Sequence, residues 1–300
     1  MSQATIEVLT GAAFLTGILA GATAFVVGWI GYLLFSTDPR PLRAGGTILT
    51  VAALIAISVT VAIPTTLVLG IALLMVAGWL PLPVLFSPLL VLPGAALIAF
   101  DGSFTTSDWV PWFVAGAIVL ASPLTASFDR AYAEASLPLP MYGLAVVGLF
   151  FTVPDTEVAV VLLGTVLVGS FLGWPKPFLS MGRGGAYALV GLFLWVAAAG
   201  GAARSVTIIV AAGCLGLLLA EPIGRWISHH DGTLVSDGNV DPVVVLIAQL
   251  AIVFIISRVV ADLTTVWMTA GATAAVLGVA AVGAAFGTKE PARRSERTAP

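Results

Sequence analysis

Two acidic side chains with the spacing to share a proton or a cation stand in the segment Val153–Glu157, which reads VPDTE. Asp155 and Glu157 flank one threonine between two short apolar segments. Two carboxylates held close together raise the proton affinity of one of them, which suits ion coupling if the turn lies below the membrane surface. The same residues also fit a structural role, in which Asp155 caps the following helix and Glu157 complements its dipole.

A second candidate group lies in the apolar segment 243–261 and just beyond it. Arg258 and Asp262 are four residues apart, which places them on one helix face where they can form an ion pair. Gln249 lies deeper in the same segment. Ionisable residues inside a membrane span are costly and indicate a transport or binding site. In the alternative reading, the Arg258 stem carries its charge to the interface and Gln249 bonds a neighbouring helix.

A third group is basic and lies in the glycine- and proline-rich segment Gly173–Gly185. Lys176 and Arg183 precede an apolar run, so they would stand at the N-terminus of a helix, which attracts anions. This arrangement indicates a site for the phosphate of a lipid headgroup. The segment lacks the Lys-Ser/Thr ending of a nucleotide-binding loop. Its basic residues can also serve only to orient the chain in the membrane.

Other patterns that carry chemistry are missing from the sequence. His229, His230 and Asp231 are adjacent, and adjacent residues do not share a helix face, so they form a poor metal site. The single cysteine, Cys214, excludes an internal disulfide. There is no nucleophile elbow and no HExxH motif, and the scattered basic residues do not form a nucleic-acid surface. We therefore expect no enzyme activity, no metal and no cofactor.

Membrane helices must position these residues. Charged residues make up 9% of the chain, against about 25% in soluble domains. The stretch Ala44–Phe100 contains 57 residues and no charge. As one straight helix it would be about 86 Å long, whereas the hydrocarbon core of a bilayer is about 30 Å thick. The chain must therefore reverse within this stretch, and Pro64 and Pro81 mark the expected reversals.

The apolar runs predict a polytopic, all-α transmembrane domain over residues 1–286, with about eleven spans and ten possible. The predicted spans are 11–35, 45–63, 65–81, 84–100, 109–127, 138–153, 157–174, 185–203, 205–220, 243–261 and 264–286. Ten of the 12 basic residues fall in the tail or in loops on one side, which predicts an external N-terminus and an internal C-terminus. We expect a disordered basic cytoplasmic tail over 287–300 and a multi-pass protein of the plasma or inner membrane.

The span number and the lack of a soluble domain favour a small-solute or lipid transporter that works by alternating access around a midplane site. One alternative is a non-catalytic subunit or scaffold that packs against partner helices. A second is an enzyme that acts on lipid-linked phosphates at the cytoplasmic face through Lys176 and Arg183. Small residues such as Gly17 and Gly21, and the run from Gly271 to Ala285, let helices approach closely, within the bundle or across a homo-oligomer interface. The expected partners are the bilayer, a small solute or lipid, and a second copy.

Overall fold

The structure, a computed structural model, describes residues 11–35, 43–80, 87–100, 109–153, 156–171, 179–199, 204–228, 240–263 and 265–287. Within these ranges the chain is almost entirely helical, which confirms the all-α class. The helices are α1 Ala12–Phe35, α2 Gly45–Thr60, α3 Thr65–Trp79, α4 Ser87–Ala99, α5 Val110–Tyr132, α6 Pro138–Thr152, α7 Glu157–Phe171, α8 Arg183–Ala199, α9 Arg204–Cys214, α10 Leu217–Ser228, α11 Pro242–Phe254 and α12 Val266–Gly287. A π-helical turn, Ile255–Val260, continues α11, and a 3-10 turn, Ala133–Ala135, continues α5.

Helix length supports the membrane class but not the full span count. Four apolar helices are long enough to cross a membrane: α1, α5 with its 3-10 turn, α11 with its π-turn, and α12. The bent pair of α9 and α10 makes a fifth if it is one span. The other described apolar helices have 10–17 residues. At about 1.5 Å per residue they fall short of a hydrocarbon core of about 30 Å.

The predicted span 205–220 contains a break between two helices. α9 ends at Cys214, α10 begins at Leu217, and the two axes differ by 65°. Pro222 lies inside α10, whose N-terminal half is buried. The break at Gly216, with a φ of 49°, sets the chain direction before the proline is reached.

The core is built around α8. Every residue from Gly184 to Ala198 is buried, and α2, α3, α5 and α9 pack around this helix. On one side α1 packs against α7, where an added Cβ at Gly17 or Gly21 would meet the backbone of Val161 or Thr165. These two glycines therefore serve close packing within the bundle. By contrast, an added Cβ at Gly271 would meet nothing within 4 Å.

Candidate functional site

A small polar pocket lies where α2, α5 and α8 meet at one end of the bundle. The cavity has a volume of 90 Å³. Its lining combines three arginines, one carboxylate, a tyrosine, a serine and two small apolar residues: Arg43, Arg130, Arg183, Asp129, Tyr187, Ser127, Pro123 and Ala126. We call this cavity the polar pocket. Three other cavities between described helices have no charged residue in their lining.

Asp129 organises the floor of the polar pocket. It comes from the C-terminal half of α5 and is buried. Its Oδ1 accepts a hydrogen bond from the N–H of Met181 at 2.9 Å, and its Oδ2 accepts one from the N–H of Gly182 at 3.0 Å. These N–H groups directly precede α8, so the carboxylate satisfies and neutralises a helix N-terminus. The segment that leads into α8 is thereby fixed to α5.

The segment before α8 also holds Arg43 in place. The N–H groups of Gly45 and Gly46, at the start of α2, donate to the carbonyls of Ser180 at 2.9 Å and Met181 at 3.0 Å. Gly182 has a φ of 70°, and a Cβ at this residue would collide with the carbonyl of Arg43. Only glycine fits this backbone without strain and with room for Arg43. The start of α2 and the start of α8 are therefore one packed unit.

Arg183 reaches across the polar pocket from the first turn of α8. Its Nε donates to the Tyr187 hydroxyl at 3.1 Å, and its guanidinium carbon stands 5.6 Å from the centroid of the Tyr187 ring. One terminal nitrogen donates to the carbonyl of Leu80, just after α3, at 3.3 Å. The guanidinium group is thus held in a defined place with part of its surface turned to the cavity.

A second polar network joins α10 to the same end of α5. The Tyr132 hydroxyl donates to Glu221 at 2.9 Å, and Glu221 forms an ion pair with Arg225, with an N–O distance of 2.8 Å. Arg225 also donates to the carbonyl of Ser127 at 3.3 Å. Ser127 lines the polar pocket, so this network supports one of its walls.

The polar pocket is suited to hold a small anion. Three guanidinium groups line it, and the one carboxylate is already engaged by two N–H groups. Arginine binds phosphate and carboxylate groups with paired hydrogen bonds. The volume of 90 Å³ corresponds to about three water molecules at about 30 Å³ each, which is room for one phosphate group.

Of the two basic residues predicted for a phosphate, the structure places Arg183 in this pocket, while Lys176 lies outside the described residues. Sequence reasoning took Arg43 and Arg130 only as orientation signals and missed Asp129. The sequence feature that could have indicated Asp129 is a carboxylate followed directly by an arginine inside the apolar helix α5. The contact of Asp129 with Met181, 52 residues away, is not visible in the sequence.

The other predicted site residues are not brought together. Gln249 is fully buried, and its amide bonds the chain on both sides of the α9–α10 break. Glu157 is exposed in the first turn of α7, and its predicted partner Asp155 lies outside the described residues.

The predicted ion pair between Arg258 and Asp262 is wrong. Both residues lie in the described part of the chain and do not contact as an ion pair, and Asp262 is exposed. Instead the Arg258 guanidinium stacks over the Phe151 ring, 4.4 Å from its centroid. The two residues do not share a helix face, because the π-turn that holds Arg258 ends at Val260 and Asp262 lies in the turn beyond it.

Two further features bear on function. The described residues contain no group of three or more His, Cys, Asp or Glu side chains that could hold a metal. A groove of 590 Å³ opens between α10, α11 and α12, and it is lined by apolar residues between Val240 and Ile255 and between Ala275 and Ala284. We call it the flank groove.

A scan of known protein-family models finds no match to this chain, and a search of curated proteins finds none either.

Proposed function

We propose that this protein is a multi-pass membrane protein that binds the phosphate of an anionic lipid, or of a lipid-linked phosphate, in the polar pocket. The observation that carries the proposal is the convergence of Arg43, Arg130 and Arg183 on one cavity whose only carboxylate, Asp129, is occupied by backbone N–H groups. A phosphate monoester brings a charge of about −1.5 to −2, which offsets the excess of guanidinium charge.

The position of the pocket supports a lipid as the source of the phosphate. The pocket lies near the end of α5, a helix long and apolar enough to cross a membrane. Such helix ends lie at the level of lipid headgroups, where basic pockets between helices bind anionic headgroups. We propose binding without a catalytic step, because the Asp129 oxygens are already engaged and the carboxylate has no evident role as a general base.

We also propose eleven crossings of the plasma or inner membrane, with the N-terminus outside and the C-terminus inside. The clustering of Arg43, Arg130, Arg183 and Arg225 at one end supports this orientation, because cytoplasmic loops are enriched in basic residues. α2 begins and α3 ends at the arginine-rich end of the bundle. Phe100, which follows α4, packs against Trp112 at the start of α5, with ring centroids 5.0 Å apart. The path from Arg43 to Phe100 therefore follows three helices.

The proposal is tested by direct binding to the purified full chain in detergent. Three probes are titrated: dioctanoyl phosphatidic acid, dioctanoyl phosphatidylcholine and inorganic phosphate. We expect phosphatidic acid to bind at least tenfold more tightly than phosphatidylcholine. Arg43→Gln and Arg183→Gln should each weaken it by about tenfold, since a charge-assisted hydrogen bond contributes about 1.5–3 kcal/mol.

Arg258→Gln is the matched control, because it removes an arginine from a different part of the bundle and should leave the affinity unchanged. Equal affinity for both lipids, or equal losses in Arg43→Gln and Arg258→Gln, would refute the proposal. If inorganic phosphate binds as tightly as phosphatidic acid, the site recognises free phosphate and the lipid assignment is wrong.

The flank groove supports a second candidate function, a subunit that packs against a partner helix. Gly283 on α12 lines this groove and has open space where a Cβ would stand, and a glycine costs a helix about 1 kcal/mol relative to alanine. A close-packed partner helix would explain its presence. Cysteine substitution at Gly283 should then give a cross-link to another chain in membranes, and the same substitution at exposed Leu19 on α1 should not. Cross-linking at neither position would refute this candidate.

Transport by alternating access stays a prediction. Its expected midplane residue, Gln249, is fully buried and hydrogen-bonded within the chain.

A further inference from the structure

We propose that Gln249 is a positioning residue: by bridging the break between α9 and α10, it sets the direction of α10 and so keeps the α10 contacts that support the Ser127 wall of the polar pocket. The claim that Gln249 sets the direction of α10 does not depend on any ligand. Its effect on lipid affinity rests on the proposed function.

The break leaves backbone groups at the end of α9 and the start of α10 without intrahelical partners. A helix end leaves carbonyl and N–H groups without intrahelical partners, and leaving them unpaired in an apolar interior is costly. Gln249 satisfies one from each helix. Its Nε2 donates to the carbonyl of Cys214, the last residue of α9, at 3.0 Å, and the N–H of Leu217, the first residue of α10, donates to its Oε1 at 2.8 Å.

The side-chain amide of Gln249 fits closely against Gly216. This glycine has a φ of 49°, and a Cβ on it would collide with Oε1 of Gln249. The residue therefore both permits the sharp turn and leaves the space that the amide fills. The 65° bend and the Gln249 amide are thus parts of one arrangement.

Contacts between α10 and α5 connect the break to the polar pocket. Glu221 and Arg225 lie one and two turns along α10 from Leu217, and they bond Tyr132 and Ser127 on α5. α10 has 12 residues and is about 18 Å long, so a change of about 15° at the break would move its far end by about 5 Å. A hydrogen bond tolerates a few tenths of an ångström, so the contacts of Arg225 depend on the bend.

The positioning role of Gln249 differs from that of a substrate-binding residue. In transporters with broken helices, the freed helix ends bind the substrate or its coupling ion. Here a side chain of the same chain occupies those groups. Gln249 accordingly acts on the polar pocket through α10, without contacting the ligand.

The experiment measures the distance between spin labels at Trp226→Cys, near the end of α10, and Leu120→Cys on α5, in the full chain without ligand. Both native side chains are exposed, and Cys214 is buried and should not be labelled. Gln249→Met keeps the volume but removes both hydrogen bonds. Gln249→Glu, protonated in so apolar a setting, keeps one donor and one acceptor. Leu250→Met, at an exposed neighbour on α11, is the matched control.

We expect Gln249→Met to shift or broaden the label distance by about 5 Å, and Gln249→Glu and Leu250→Met to retain the native distance. In the same preparations, Gln249→Met should weaken binding of dioctanoyl phosphatidic acid at least fivefold, with Gln249→Glu close to the native affinity. If Gln249→Met does not fold, Gln249→Asn, which is too short to reach both partners, must show the same shift.

An unchanged distance in the folded methionine or asparagine variant would overturn the positioning role. An unchanged affinity despite a shifted distance would overturn its link to the pocket. If the native chain does not bind phosphatidic acid, the proposed function fails, and the label distances, which use no ligand, still decide whether Gln249 positions α10.

Discussion

Asp129 fixes the segment before α8 beside three arginines, whose combined charge exceeds that of its one carboxylate. Each of its oxygens accepts an N–H bond from the segment before α8, so its charge is directed at a helix N-terminus. The price of burying this carboxylate is offset by two charge-assisted hydrogen bonds, each contributing about 1.5–3 kcal/mol.

Gly182 is the residue on which this arrangement depends most directly. Gly182→Ala would place a Cβ against the Arg43 carbonyl and force a non-glycine residue to a φ of 70°. The left-handed conformation alone costs about 1–2 kcal/mol. We expect a thermal unfolding temperature several degrees below that of the native chain in detergent. Gly116→Ala, with nothing within 4 Å of the added Cβ, is the control and should not lose stability. Equal stability of the two variants would contradict this account of Gly182.

Sequence reasoning identified part of this chemistry at the residue scale. Arg183 could be found because a glycine-rich segment before an apolar run predicts an anion site. Arg258 and Asp262 do not pair because a spacing of four requires a helix that continues past Asp262, whereas this one ends at Val260 in a π-turn that no sequence pattern reveals. Asp129 was missed because its partners come from a distant segment.

At the scale of elements, helix–helix distance is set by where the glycines lie. α1 approaches α7 so closely that the Cβ of an alanine at Gly21 would meet the backbone of Thr165, with the Thr165 Cα at 3.1 Å. Backbone cannot move aside as a side chain can. This contact is why a helix with few buried residues is still attached firmly to the bundle.

We therefore expect Gly21→Ala to destabilise the protein by about 1–3 kcal/mol, the usual cost of overpacking. Gly271→Ala is the matched control, because it is the same substitution in a long apolar helix, and its Cβ would meet nothing. It should be neutral or slightly stabilising, since alanine favours a helix by about 1 kcal/mol over glycine. Thermal unfolding in detergent compares the two, and a loss of stability in Gly271→Ala alone would show that α1 is not attached in this way.

The elements also show how far apolar periodicity can predict a membrane fold. The apolar runs located the helices, since runs bounded by charge or proline leave few alternatives. They could not show that the segment 205–220 is two helices, because Gly216 looks like any other small residue in a run rich in them. Gln249, whose side chain bonds the backbone groups freed by the break, lies 33 residues beyond Gly216.

At the scale of the whole molecule, the polar and apolar surfaces are separated. Arg43, Arg130, Arg183 and Arg225 collect at one end, and the flank groove and long exposed apolar stretches occupy the sides of the bundle. This distribution fits a membrane protein, with apolar surface against the hydrocarbon and basic residues at the level of the headgroups.

The orientation of the chain can be tested with reporters that are active on only one side of the membrane. Fusions after Ala135 and after Ser228 should report the cytoplasm, because both positions follow helices that end beside the polar pocket. A fusion after Asp101 should report the external side. A cytoplasmic signal after Asp101, or an external signal after Ala135, would contradict the proposed three crossings between Arg43 and Asp101.

The central claim is that the polar pocket holds a lipid phosphate, and the most direct measurement is an experimental structure of the full chain in a nanodisc containing phosphatidic acid. We predict phosphate density within hydrogen-bond distance of the Arg43 and Arg183 guanidinium groups, with Asp129 still bound to the N–H groups of Met181 and Gly182. A polar pocket that holds only water while headgroup density lies elsewhere on the bundle would contradict the claim.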